Sequence, residues 1–257
     1  MNRRTWLATA AALAACSGVQ AAPDAQRLLA ASDAVRNPGR PFAVNVALTE
    51  FQDGKRVDSS TMVTYSRTLA QDGQFASLVR FTAPARDAGK LMLKNGQDLW
   101  FYDPSTKASV RLSPQQRLLG QASNGDVVTV NLARDYKAVL KAEEDVQDGD
   151  RKPRRARLLE LSAAVPDATY ARIEFWVDAG NDQPIKGRFF ADSGRLLKTV
   201  YYRRYARELG VDRPTELVII DGLNAASVTL MRLTQYTEKN LPESWFQREF
   251  LPRFQPE

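Results

Sequence analysis

The chain has 257 residues, of which 44% are hydrophobic and 26% charged, with a formal net charge of +6, a single cysteine and no histidine. This size and balance predict one sizeable globular domain with a hydrophobic core, and the mildly basic charge favours lipid headgroups or other acidic partners. The lack of histidine excludes Ser-His-Asp triads, Cys-His dyads and imidazole zinc sites. We therefore expect no metal and no cofactor, while carboxylate chemistry stays open.

The N-terminus has the order of a bacterial secretory signal. Two arginines precede an apolar, alanine-rich stretch over 6–16, and small residues follow up to Ala21. The apolar stretch is shorter than the ~20 residues that span a bilayer. We predict residues 1–21 as a signal peptide and 22–257 as a single exported domain in the periplasm.

Two alternatives stay open in this region. Leu13-Ala14-Ala15-Cys16 is similar to a lipoprotein-processing box, and processing there would leave Cys16 as an acylated N-terminal anchor. Cleavage after Ala21 would instead remove the only thiol of the chain. The twin arginines at 3–4, followed by Thr-Trp-Leu, are also similar to a twin-arginine export motif, so the sequence does not choose the export route.

One helix and then many short strands follow in chain order. Asp24 can cap a helix that ends at Arg36, because Asn37-Pro38-Gly39 stops it. Alternating apolar residues and turns such as Asp53-Gly54 predict antiparallel strands. The predicted strands are 42–48, 55–69, 75–81, 91–93, 99–102, 108–112, 156–161, 170–177, 184–190, 196–202, 216–221 and 226–234.

Alternation fades between 114 and 137, which predicts a loop with one or two short helices, including one at 132–136. A last short helix is predicted over 242–251. No composition break or linker divides the chain, so one continuous, strongly curved sheet with a few helices is the simplest architecture.

Several strands are apolar or aromatic on both faces, as at 99–102, 173–176 and 199–202. Their second face must meet something other than bulk water. Ordinary core packing explains this, and so does a sheet that wraps around a cavity for an apolar ligand. For the cavity we predict these wall residues, whose faces a one-residue slip would reverse: Met62, Met92, Leu99, Phe101 and Phe189.

Three segments in order resemble the outer-membrane lipoprotein-sorting proteins of the LolA/LolB-like superfamily, and more specifically its branch of uncharacterised periplasmic LolA-like proteins. They are Arg80-Phe81-Thr82-Ala83-Pro84, Gly89-Lys90-Leu91-Met92-Leu93 and Leu99-Trp100-Phe101-Tyr102-Asp103-Pro104. The resemblance covers most of the mature chain. It implies a mainly β (α+β) fold, a curved half-open antiparallel β-barrel with a helical lid over an apolar cavity, and a non-enzymatic carrier of lipid or lipoprotein acyl chains.

The chain departs from that branch in one loop. Gly120–Asp126 stands where the branch has a Gly-Ser-Asp-Phe-type run, and Asn131-Leu132 replaces an Asp-Leu helix start. Cargo identity is therefore not transferred. The expected partners are lipid or lipoprotein acyl chains and inner- or outer-membrane transport proteins.

Two other hypotheses stay open. The first is an envelope assembly module that partners a membrane lipid exporter without lipid cargo. The second is an enzyme of carboxylate type, for which Glu174 with Asp178 and Glu216 with Asp221 are the pairs to test. The basic run Arg151–Arg157 could contact anionic headgroups, although a solvated hairpin tip is the simpler explanation. We expect no nucleic-acid partner, because no recognition motif accompanies the charge.

Overall fold

A computed structural model describes residues 24–71 and 73–255. The predicted signal peptide and Cys16 lie outside these residues. Within the described part of the chain, no helix combines the length and apolar character that crossing a bilayer requires.

The first element is helix α1, Ala25–Arg36, as the sequence predicts. The Asp24 carboxylate caps it by accepting a hydrogen bond from the backbone N–H of Gln26 (2.9 Å). A second helix, α2, is a single turn over Leu132–Asp135, within the predicted 132–136.

The described residues form fifteen strands, most of them at the predicted positions. They are β1 Phe42–Gln52, β2 Lys55–Thr68, β3 Phe75–Ala83, β4 Leu91–Asn95, β5 Asp98–Asp103, β6 Ala108–Arg111, β7 Arg117–Leu119, β8 Ala122–Ser123, β9 Tyr136–Gln147, β10 Pro153–Ala163, β11 Arg172–Asp178, β12 Pro184–Phe190, β13 Leu196–Glu208, β14 Val211–Asp221 and β15 Ser227–Glu238.

Thirteen of these strands form one antiparallel sheet, in the order β6-β5-β4-β3-β2-β1-β15-β14-β13-β12-β11-β10-β9. Neighbours in sequence are neighbours in the sheet, except that β1 pairs with β15 and brings the two halves of the chain together. β7 and β8 pair separately. The prediction of a mainly β fold with few helices is confirmed. The sheet is not closed into a barrel, because β6 and β9 are its two edges.

Strands β7, β8 and β9 are missing from the prediction, and the longest of them is β9. It pairs with β10 along its whole length, and its residues alternate between exposed and more buried. Alanine, lysine and glutamate fill many of its positions, and these residues are depleted in strands. The sheet edge, rather than local propensity, therefore determines this strand.

The outer face of β2–β5 is covered by the C-terminus. Two short 3₁₀ helices, Glu243–Phe246 and Arg248–Arg253, replace the single predicted helix at 242–251. Phe246 and Leu251 pack there, and the Arg248 guanidinium lies 3.8 Å from the centre of the Trp100 ring. On this outer face, core packing explains the doubly apolar strand at 99–102.

A smaller apolar cluster covers the outer face of β10–β12. Trp176 packs there with Ala156 and Ile185, and the Lys186 ammonium lies 4.3 Å from the centre of the Trp176 ring. The inner face of the same strands carries the main hydrophobic core, with Ile173 and Phe175 fully buried. Both faces of the 173–176 strand are thus explained by packing.

Candidate ligand-binding cavities

Helix α1 and one long connection cover the inner face of the sheet. We call residues 113–135, which join β6 to β9, the crossing segment. The Gln26 side-chain amide donates hydrogen bonds to the carbonyls of Ala133 (2.8 Å) and Tyr136 (3.0 Å), and the Ala133 N–H donates to the Asp33 carboxylate (2.7 Å). These contacts hold α1 and the crossing segment together.

Besides the contact of Gln26 with β9, an arginine on β14 holds α1 to the sheet. The buried Arg213 guanidinium donates to the carbonyls of Ala34 (2.9 Å) and Val35 (2.7 Å) in the last turn of the helix. Those carbonyls lack partners within the helix, and a cation complements the negative end of its dipole.

Hydroxyl groups of β2 and β3 hold the middle of the crossing segment. The Thr64 hydroxyl donates to the Val127 carbonyl (3.1 Å), and the Ser66 and Thr129 hydroxyls lie 2.7 Å apart. The Thr129 N–H donates to the Ser77 hydroxyl (3.1 Å). These strands therefore bind the crossing segment through polar contacts within an otherwise apolar face.

Gly120 brings the crossing segment close to β1 and β15. Its φ is +55°, and an added Cβ atom would lie 2.3 Å from Thr229 Oγ1 and 3.0 Å from Glu50 Cγ. Any larger residue would clash there and would also carry backbone strain, so the approach requires glycine.

A buried ion pair joins the crossing segment to β13. Lys198 is 2% exposed, and its ammonium contacts the Asp126 carboxylate and donates to the Gln121 carbonyl (3.2 Å). Asp126 also accepts from the Tyr170 hydroxyl (2.8 Å) and the Ser123 N–H (2.7 Å). Burial lowers the pKa of Lys198, and the nearby Asp126 opposes that shift. Sequence reasoning missed this pair because its members lie far apart in the chain.

The first cavity lies between α1, the crossing segment and strands β1, β2, β9 and β12–β15. Its volume is about 140 Å³. Its apolar wall includes Val44, Val46, Phe189, Val200, Ile219 and Met231. A dry apolar cavity of ~150 Å³ holds a ligand the size of benzene. The cavity therefore offers a largely apolar wall to a small ligand, and the charged side chains of Arg36, Asp126 and Asp135 border it.

Four tyrosines line the same cavity, among them the half-buried Tyr236. Tyr136, Tyr170 and Tyr202 line it and are buried. Burial raises the pKa of all three hydroxyls, that of Tyr202 to about 12. These hydroxyls stay neutral at ordinary pH, so the charges that border the cavity belong to other residues such as Asp126.

The second cavity lies at the opposite end of β1 and β2, and its volume is about 410 Å³. Phe81 and Phe101 face it with ring centroids 6.3 Å apart, together with Leu118 and Leu119 of the crossing segment. Ion pairs form its rim, as between Lys90 and Asp87 (2.9 Å) and between Arg86 and Asp58 (3.3 Å).

The five predicted wall residues lie on the inner face but are not all in one cavity. Phe189 lines the first cavity and Phe101 lines the second. Met62, Met92 and Leu99 are almost completely buried in the core and line neither cavity. Their contact with a ligand stays a prediction.

The carboxylates considered for catalysis are held by arginines. Glu174 accepts from Arg172 (2.8 Å) and Arg188 (2.9 Å). Glu216 accepts from Arg203 (2.6 Å) and Arg232 (3.0 Å), and these bonds lower its pKa. At Glu216 this pairing favours the charged carboxylate, which suits cross-strand packing rather than proton transfer.

The other two carboxylates are paired in the same way. Asp178 contacts Arg154 (2.7 Å), and Asp221 contacts Arg117 (3.2 Å). Arg154 belongs to the basic run, and Arg157 of the same run pairs with Glu143 of β9 (3.0 Å). Among the described residues, no three potential ligand side chains converge as a metal site would require.

Comparisons with known proteins agree with this architecture. A family model described as "Uncharacterized protein" matches residues 73–253. A LolA superfamily protein from Nitrosomonas europaea is 32% identical, with a TM-score of 0.79 over 89% of this chain and 100% of that one. No curated protein matches the chain.

Two more distant structures share the fold. A DUF1329 family protein from Desulfovibrio piger is 21% identical, with a TM-score of 0.74 over 88% of this chain and 97% of that one. An outer membrane lipoprotein-sorting protein domain from Vibrio parahaemolyticus is 17% identical, with a TM-score of 0.74 over 89% of this chain and 98% of that one.

Proposed function

The chain belongs to the LolA superfamily, and from this premise we propose that it is a non-enzymatic periplasmic carrier of lipid or lipoprotein acyl chains. The observation that carries the proposal is the largely apolar first cavity, which lies between the inner face of the sheet and a cover formed by α1 and the crossing segment. Hydrogen bonds hold this cover to the sheet. The carrier would pass its cargo between inner- and outer-membrane partners. Its predicted signal peptide supports the periplasmic location, and an anchor at Cys16 would make it a membrane-bound acceptor instead of a free shuttle.

In this proposal the open sheet acts as a half-open barrel, and α1 with the crossing segment acts as its lid. A lid must leave the sheet without unfolding it. The hydrogen bonds that Arg213 and Thr64 donate to this cover, and the one that Ser77 accepts from it, can be exchanged for bonds to water. Each buried CH₂ group of the cargo contributes about 0.8 kcal/mol, so a bound chain can offset the loss of several such bonds.

The small first cavity supports one competing function. An envelope assembly module with a filled, lipid-free core would need no more space than about 140 Å³. That module would bind a membrane lipid exporter stably and would bind no fatty acid, so fatty-acid affinity separates the two functions.

We predict that Leu233→Glu weakens binding of hexadecanoic acid at least tenfold, a loss of about 1.4 kcal/mol or more. Leu233 is half-buried in the wall of the first cavity. A carboxylate there must either lose its hydration beside the acyl chain or keep water in the cavity, and both outcomes oppose binding. Isothermal titration calorimetry measures the affinity.

The matched control is Leu223→Glu, which makes the same chemical change at a 77% exposed position in the turn between β14 and β15. This variant should bind like the wild type. Circular dichroism and urea midpoints establish that both variants fold. Equal affinities of the two folded variants would show that the first cavity is not the acyl-chain site.

A further inference from the structure

The two cavities share the same strands. Along the inner face of β1, Val46 lines the first cavity and Glu50 lines the second. Leu48 lies between them on the same face and is fully buried. Only one inward-facing residue of this strand therefore separates the cavities.

Strand β2 repeats the arrangement. Thr64 lines the first cavity and Ser60 lines the second, with Met62 between them on the same face. Met62 is 1% exposed. Leu48 and Met62 thus form a buried strip of the inner face, with the first cavity at one end and the second cavity at the other.

The cover over this strip belongs to the crossing segment. Its residues 118–120 form one wall of the second cavity, and its residues 127–130 form one wall of the first. The stretch 118–129 is therefore a partition, with one cavity on each side.

We propose, on the basis of the carrier function above, that the two cavities are the ends of one acyl-chain groove along β1 and β2, and that the partition must lift for a long chain to bind. Val44 and Glu50 are six residues apart, about 20 Å along the strand. The ~30 Å hydrocarbon core of a bilayer holds two layers of chains, so one membrane acyl chain reaches about 15 Å. The undivided groove accommodates such a chain, and the first cavity alone does not.

Lifting the partition breaks its buried ion pair with Lys198 of β13 and its hydrogen bonds from Gln121 to β15, and the bound chain must offset these losses. Along β2 and β3, by contrast, few buried polar groups are left without partners. The hydroxyls of Ser66 and Ser77, which contact Thr129, also lie 3.0 Å from each other. They keep that hydrogen bond when the partition leaves, and only the Thr64 hydroxyl loses its partner there. The floor of the groove along β2 and β3 therefore presents few unpaired polar groups to an apolar ligand.

A disulfide can fix the partition on the sheet. In a Cys16→Ser background, the double variant Ser66→Cys/Thr129→Cys places two thiols where the native hydroxyl oxygens are 2.7 Å apart. The matched control is Thr61→Cys/Thr82→Cys, whose native hydroxyl oxygens are 2.8 Å apart and which joins β2 to β3 without touching the partition. Calorimetry with hexadecanoic and hexanoic acid then compares oxidised and reduced protein.

We expect oxidation of Ser66→Cys/Thr129→Cys to weaken hexadecanoic acid binding at least about tenfold and to leave hexanoic acid binding unchanged. Oxidation of the control should change neither. If the oxidised partition variant binds hexadecanoic acid as tightly as the reduced one, the joined groove is wrong while the carrier function stands. If the reduced proteins bind neither acid, the carrier function itself fails.

Discussion

Asp126→Asn is expected to lower the free energy of unfolding by about 3–5 kcal/mol, because it leaves the buried Lys198 ammonium without its counter-ion. Asparagine keeps the shape of the side chain and can still accept from the Tyr170 hydroxyl, so the loss reports the charge and the bonds that Oδ2 accepts from Lys198 and Ser123 rather than the packing. Urea unfolding, followed by circular dichroism, measures the effect.

The reverse change should cost less. Lys198→Met removes the cation, but Asp126 is 16% exposed and keeps its bonds from Tyr170 and Ser123. The double variant Asp126→Asn/Lys198→Met leaves no unpaired buried charge, and we expect it to be more stable than Asp126→Asn alone. A double variant that loses the sum of the two single losses would mean that the two groups do not act as a pair.

Stability is expected to fall steeply above about pH 10, and the three buried tyrosines of the first cavity alone contribute about 4 kcal/mol per pH unit. Burial raises the folded-state pKa of Tyr136, Tyr170 and Tyr202 above the unfolded value of about 10. Above that pH the unfolded chain releases these protons before the folded chain does. The unfolded state then binds fewer protons, so the free energy of unfolding decreases as pH rises.

Lys198 changes stability with pH in the opposite direction. Its folded-state pKa is lowered, so the unfolded chain holds that proton longer and stability rises with pH until the unfolded lysine titrates. Lys186 shifts in the same direction as Lys198, and Tyr205 and Tyr236 shift in the same direction as the three buried tyrosines. The tyrosines outnumber the lysines, so the net slope above about pH 10 stays negative.

Tyr202→Phe isolates one of the three contributions. We expect the fall in stability per pH unit to become about 1.4 kcal/mol shallower in this variant. Urea midpoints over a series of alkaline pH values give the slope, and the absorbance of tyrosinate follows the titration directly. Identical slopes for wild type and Tyr202→Phe would contradict the burial of this hydroxyl.

Local signals in the sequence were sufficient for most of the elements. Asp24 and the Asn-Pro-Gly run define both ends of α1, and turn residues such as Asp53-Gly54 define the hairpins. The sequence did not predict strand β9, because many of its residues are types that are depleted in strands. Pairing with β10, and not its own composition, makes it a strand.

The cavities could be predicted only in part. A periodicity of two places Met62, Met92, Leu99, Phe101 and Phe189 on the inner face. Which of them line open space depends on where the crossing segment runs, and that path is set by contacts between residues distant in sequence. The pair of Lys198 and Asp126 is such a contact, and neither residue carries a local signal for it.

The central claim is that the inner face of this sheet carries acyl chains. Native mass spectrometry of the protein purified from a bacterial periplasm tests it most directly. We predict a co-purifying lipid mass on the wild type and on Leu223→Glu, and its loss from Leu233→Glu. A wild-type protein that carries no lipid and also fails to bind hexadecanoic acid would contradict the claim.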